Sequence, residues 1–519
     1  MKKKIIFILI AGVILLQSCD LDINNNPNTA TASSVTVDFV LPAALASTAT
    51  NIVTYNSYGS FLVGYQLPGA GLSGFGSAYT YNYTSTDNTA LWNDVNGNLR
   101  DYQYIIDQAV SNPKYELYAA AARIQKVFNY ELLIDAYGNV PWTDGLKGSA
   151  NLTPAFDDDA AAYQLLVKEL NSAIADITSN ESKVGATLLG LTEVSDPLFG
   201  GDLTKWKQYA NNIKLRLLIK ASGTSIDAFV QSEFATFSAD GFLKEDALID
   251  PGYSTSGTQN PAWTLLNSST AGSITQAANY YIPSKYVLTF YTGAVLQDST
   301  RAKLVYKGYP ATTVAGQLGD ETNNPTSVRY AWSGKSDGTG IFKDRTQGQP
   351  VFLASEVYLL LAEAALKGHV LDGDAKSDFE KGILASFTYL REKANKTFIS
   401  GVNPATDLAT YLADNSGKYL VDYNAATTDA QRLEAIITQK YIALNYIHGH
   451  EAWNEFRRTT YPRISGTSPT TSFVATRTQS TRADKLPVRQ IYPQAEYNLN
   501  TNVPKVKDAF SDPIFWDLN

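Results

Sequence analysis

The sequence predicts a mainly α protein, built of helical hairpins and interrupted by large irregular loops. Three observations carry that expectation. Apolar residues recur at spacings of three and four through several long segments. Those segments begin and end on residues that start and stop helices. Two stretches, about 59–86 and 250–350, are instead rich in Ser, Thr, Gly, Asn, Tyr and Pro, with little helical period.

The first residues read as a targeting segment rather than as fold. Lys2, Lys3 and Lys4 precede an apolar run from Ile5 to Leu16. That run is shorter than the ~20 apolar residues a membrane-spanning helix needs. Leu16-Gln17-Ser18-Cys19 follows and resembles the lipobox of bacterial lipoproteins. The resemblance implies removal of residues 1–18 as a signal peptide, lipid on Cys19 and an acylated new N-terminus. Cys19 is the only cysteine, so a disulfide does not explain it. Residues 19–34, rich in Asn, Asp, Thr and Pro, read as a flexible leash. Residues 35–519 show no long linker and are expected to form one domain.

Within that body, Thr86 or Asp87 is placed to cap a helix carrying Leu91, Val95, Leu99, Tyr102, Ile106 and Ala109. Asn112-Pro113 opens the next, with Leu117, Ala121, Ile124 and Phe128 on one face and a stop at Tyr137-Gly138. Asp157, Asp158 and Asp159 suit the N-terminus of a third, whose apolar face holds Leu166, Leu170, Ala173, Ile174 and Ile177. The same run could hold calcium, but the helix terminus accounts for it. A fourth spans about Leu203 to Ala221, and Asp202 is expected to cap it. Later helices are expected over about Leu353–Lys367, Ala375–Asn395 and Asp429–Arg457. Successive pairs of this length predict stacked hairpins of tetratricopeptide type, although no clean 34-residue consensus is present.

Composition excludes several functions. Loss of residues 1–18 removes three lysines and takes the net charge from −8 to −11. Such an acidic chain with no basic cluster is not a nucleic-acid binder. No thiolate metal site is available, and the three histidines, His369, His448 and His450, are too few and too grouped for a zinc centre. No metal or other cofactor is expected. The 32 tyrosines, an unusual excess, supply rings with polar tips that suit amphipathic ligands.

Several stretches together resemble one family. They are Ser18-Cys19-Asp20 with its Asn/Pro-rich leash, Asp135-Ala136-Tyr137-Gly138-Asn139-Val140-Pro141-Trp142, and Gly200-Gly201-Asp202-Leu203-Thr204-Lys205-Trp206. Further on come Ser355 to Ala364, Glu451 to Arg458 and Leu486 to Pro493. Their joint order resembles the SusD/RagB family of surface nutrient-binding lipoproteins of the Bacteroidota. The resemblance implies a tetratricopeptide-like helical body with irregular ligand-binding loops, on the outer face of the outer membrane. It implies a SusC-like TonB-dependent transporter as partner, a captured oligosaccharide or polysaccharide, and no catalysis; some members take peptides instead. Most of these motifs read as structural. Glu356 and Glu363, seven apart on one helix, are expected to pair with cations rather than to form a glycosidase pair. Glu451, Glu455, Arg457 and Arg458 suit buried ion pairs, and Arg489 suits packing. No Gly-x-Ser-x-Gly or HExxH pattern supports a hydrolase.

Sugar rings offer apolar C–H faces and a hydroxyl rim, matched by aromatic platforms with polar neighbours. The candidates in the irregular stretches are Tyr81, Tyr83, Trp263, Tyr281 and Trp332, with Gln259, Asn260 and Asp298 as hydroxyl partners. Trp92, beside Leu91 and Val95, reads as core.

Overall fold

The computed structural model describes residues 35–306, 308–310, 314–325 and 336–519. Cys19, the leash and Trp332 lie outside the described residues. The body opens on α1, Val37–Leu62. This helix is apolar and long enough to cross a bilayer, yet half of its apolar window is buried within the protein. It continues into the first stretch expected to be irregular, because Tyr55, Tyr58, Gly59 and Leu62 all face the interior.

Next come α2 (Thr89–Ser111), α3 (Glu116–Tyr137), α4 (Asp159–Asn180) and α5 (Leu203–Ala221), each packed on its predecessor in sequence order. Their termini are set locally. Asn112 accepts the Lys114 N–H ahead of α3, and Gly138 ends it at φ 80°. Asp158 caps α4 at Ala161 N. Asp202 caps α5 by accepting from Thr204 N and Lys205 N, worth about 1 kcal/mol. The expected cap of α2 is not made: Asn88 at φ 50° precedes the helix without a side-chain bond. Asp87 instead binds Thr84 and Ser77, holding the preceding loop.

Among the described residues of 250–350, short helices alternate with turns and irregular chain, the first of them α6 (Pro261–Leu266). The strands are β1 (Leu67–Pro68), β2 (Ala247–Ile249), β3 (Tyr281–Ile282) and β4 (Gln349–Phe352). They pair antiparallel as β1 with β3 and β2 with β4. The pairing of Pro68 with Tyr281 ties the two irregular stretches together.

The second helical series is α7 (Ala354–Leu366), α8 (Ala375–Arg391), α9 (Pro404–Asp414), α10 (Asp429–Ala443) and α11 (Gly449–Thr459). Helix α7 packs on α8 and α10, α5 packs on α7, and α11 lies on α1. The molecule is mainly α with tetratricopeptide-like hairpins. The single helix expected over Asp429–Arg457 is two. Tyr446 adopts φ 67°, and the chain turns so that Gly449 can meet Ser60 of α1. A Cβ on Gly449 would lie 2.4 Å from Ser60 Oγ.

The hairpins meet at a buried charge cluster. Arg216 of α5 donates to Glu131 of α3 at 2.8 and 2.6 Å, and Lys220 lies 3.0 Å from Glu131 and 2.5 Å from Asp135. Lys440 of α10 bridges Glu356 and Glu455 at 3.2 and 2.8 Å. Arg458 binds both oxygens of Glu363 at 2.7 Å. The ion pairs expected of Glu356, Glu363, Glu455 and Arg458 are thus present. Arg457 instead stacks on Trp453 and Trp516 and donates to the carbonyls of Val488 and Asp135. Arg489 is packed, over the ring of Tyr492. Trp92 is core, between Tyr137, Phe156 and Tyr492.

A candidate aromatic binding cleft

A cavity of about 440 Å³ opens between α1, the loop after β1 and Leu265 of α6. Helix α1 presents Thr54, Ser57, Tyr58 and Phe61 at successive turns, as the 3.6-residue period requires. The loop brings Phe75 opposite. Gly71, Gly74 and their neighbours let that loop turn at positive φ in open space. Phe61 and Phe75 stand 5.7 Å apart and remain partly exposed. Tyr281 meets both edge-on, at 5.3 Å and 79° and at 6.0 Å and 80°. Tyr83 crosses Tyr58 at 6.0 Å. Polar groups rim these rings: Ser57, Ser77 and Asp87, the last held in place by Ser77 Oγ at 2.8 Å and by Thr84. The arrangement offers apolar faces flanked by hydroxyl and carboxylate acceptors, within the size range of small-ligand clefts.

The structure separates the sequence candidates. Tyr83 lines this cleft, and Tyr281 stands behind it against Phe61 and Phe75. Trp263 is half-buried on α6, two residues from Leu265, but turns away: it meets Phe342 edge-on and donates to Ser268 at 2.9 Å. Four expectations are corrected by burial. The Tyr81 ring is fully enclosed and its hydroxyl accepts the Ala475 N–H at 3.0 Å. Asn260 caps α6 at Trp263 N and donates to Gln347 O, so its amide is spent on the fold. Asp298 caps the helix Ser299–Val305 and pairs with buried Arg301. Gln259 is enclosed at 4% exposure and reaches no ligand surface.

Phe61, Phe75 and Tyr58 were missed. A signal existed for Phe75, an aromatic ring set among Gly71, Gly74 and Gly76. Of the alternating Tyr81 and Tyr83, both largely buried, only Tyr83 lines the cleft. Phe61 and Tyr58 could not be told from core by the period of α1, since one helix face serves both purposes.

A larger cleft, about 760 Å³, lies between α7, α8 and the β2 loop. Three of its cations, Lys205, Lys244 and Lys381, are already paired with Glu245, Asp372 and Asp378. With fewer aromatic rings, it suits a saccharide less than the smaller cleft does. One carboxylate triad among the described residues, Glu131, Asp135 and Glu451, is close enough to hold a cation. The Lys220 ammonium already stands among those oxygens, 3.0 Å from Glu131, 2.5 Å from Asp135 and 3.0 Å from Glu451. His448 and His450 are buried, and that burial lowers both below the usual imidazole range, so they stand neutral.

Fold and cleft together define a helical-hairpin protein with an aromatic-lined cavity. Residues 27–493 match the family described as starch-binding and associating with the outer membrane, and the chain belongs to this SusD-like family. Solved structures agree in fold. A SusD homolog from Bacteroides uniformis superposes with a TM-score of 0.69 at 22% identity, over 93% of this chain and 100% of that one. A chitin-binding SusD homolog from Flavobacterium johnsoniae gives 0.68 at 20% identity, over 92% and 99%. A SusD-like protein from Bacteroides thetaiotaomicron gives 0.65 at 22% identity, over 92% and 99%. No curated protein matches the chain.

Proposed function

We propose that this protein captures a glycan at the cell surface and passes it to a SusC-like TonB-dependent transporter, without cleaving it. The observation that carries the reading is the pair of partly exposed rings Phe61 and Phe75, backed by Tyr281, beside hydroxyl and carboxylate groups around one cavity. Family membership supports glycan binding and association with the outer membrane. Lipid on Cys19, the leash to residue 34 and the body 35–519 acting as one unit complete the proposal. Trp263 and Trp332 stand as further platforms within it. The sequestration of Glu356 and Glu363 in buried ion pairs supports a non-catalytic role.

Affinity electrophoresis against a panel of polysaccharides tests the reading. One glycan is expected to retard the protein, and Phe75→Ala or Tyr281→Ala is expected to abolish the retardation. Undiminished retardation of both variants would move the site elsewhere. Retardation by no glycan would favour a peptide ligand. New reducing ends in the incubated polysaccharide would overturn the non-catalytic assignment.

A further inference from the structure

A second cavity, about 730 Å³, lies on the far side of the wall that bounds the aromatic cleft. The wall is two chain segments. Gln479 N donates to Thr80 O at 2.8 Å, and Ala475 N donates to the Tyr81 hydroxyl. Ser77, Ala78 and Tyr83 face the aromatic cleft, while Thr476, Thr478 and Ser480 face the second cavity. A line of planar groups runs along the wall, with buried Tyr79 supporting the outer Phe75 and Arg477. Phe75 meets Tyr79 at 6.2 Å, and the Arg477 guanidinium stands 4.8 Å over the Tyr79 ring. Arg477 also pairs with Glu321 at 2.8 Å, and both remain about half exposed.

The second cavity has the composition a sugar requires. Phe456 and Val474 give it an apolar floor, and Thr467 and Thr476 bring hydroxyls to its walls. Lys485, Arg463 and Asp484 add two cations and one carboxylate. Two residues at its edge, Thr460 at φ 63° and Lys485 at φ 64°, hold left-handed backbone that favours glycine. Side chains kept at such positions mark places where shape outweighs local strain.

We infer that this cavity is a second saccharide subsite, and that one glycan chain lies across both cavities over the Phe75–Tyr79–Arg477 ridge. The inference rests on the glycan reading above and adds to it a requirement for chain length. Two linked subsites multiply their affinities, because the second contact is made within one molecule. Short oligosaccharides then fill the aromatic cleft alone and bind weakly. Chains that span the ridge bind far more tightly.

Calorimetry with the full chain in detergent and size-graded fragments of starch and chitin tests this. Affinity is expected to rise by about 100-fold, the low end for linked sites, once fragments span the ridge. Thr467→Trp, at an exposed position on the cavity mouth, is expected to remove that rise and leave short fragments binding as before. Lys485→Ala, also exposed, is expected to reduce it. Affinity independent of length, or a full rise in Thr467→Trp, overturns the second subsite while leaving glycan capture standing. If neither series binds at any length, the subsite falls together with the glycan reading.

Discussion

At the residue scale, the molecule turns on charges held out of water. Arg216 is 1% exposed and satisfies Glu131 at 2.6 Å, with Glu356 at 3.5 Å. Arg216→Met keeps much of its volume but strands carboxylates in the core. A loss of about 3–5 kcal/mol is expected, read as a lower urea midpoint. Glu455 shows the pH side of the same design. Burial raises its carboxyl, but Arg458 and Lys440 outweigh burial and hold it down at about 2. A depressed folded value contributes stability that is present above about 4.5 and is lost as the pH falls toward 2. Thermal melts from pH 7 to pH 2 should therefore show a steep loss below pH 4.5. Glu455→Gln should be less stable at pH 7 and show a shallower acid limb. An acid limb of unchanged steepness would assign the loss to other groups.

At the element scale, close approach decides more than periodicity. A Cβ on Gly59 of α1 would lie 2.2 Å from His450 N of α11, so Gly59→Ala must push two core helices apart. A cost of at least about 2 kcal/mol is expected. Gly97→Ala on α2 meets nothing nearer than Arg100 at 3.9 Å. It should stabilise by up to about 1 kcal/mol, as helix propensity dictates. Denaturation of the two variants side by side separates contact from propensity. The same contrast explains what the sequence revealed. Asp158 and Asp202 were legible as caps because a cap is a local event. The turn at Tyr446 was not, since its cause is Ser60, far away in the chain. The cleft was half legible. Tyr281 stood out as an aromatic in a polar loop, whereas Tyr81 and Asp298 looked the same in sequence and were buried by partners at Ala475 and Arg301. Whether a loop tyrosine faces water or core depends on the chain that comes to cover it.

At the scale of the whole molecule, export and anchoring can be tested apart from binding. Cys19→Ala is expected to move the protein from the membrane pellet to the soluble fraction while leaving retardation by glycan unchanged. Retention in the pellet would remove the lipid from the proposal. The central charge cluster has a consequence for how such a chain comes into being. Its members sit on α3, α5, α7, α10 and α11, so its last counter-ions arrive with the final third of the sequence. Before then, Glu131, Asp135, Arg216 and Lys220 are better solvated by water than by a half-built interior. A fragment ending at residue 353 should accordingly show little amide protection in hydrogen exchange, even over α3 and α5. Early collapse is thus discouraged, and assembly waits for the whole polypeptide. The export proposed above has good use for that delay, since a translocation channel passes an open strand and not a folded core.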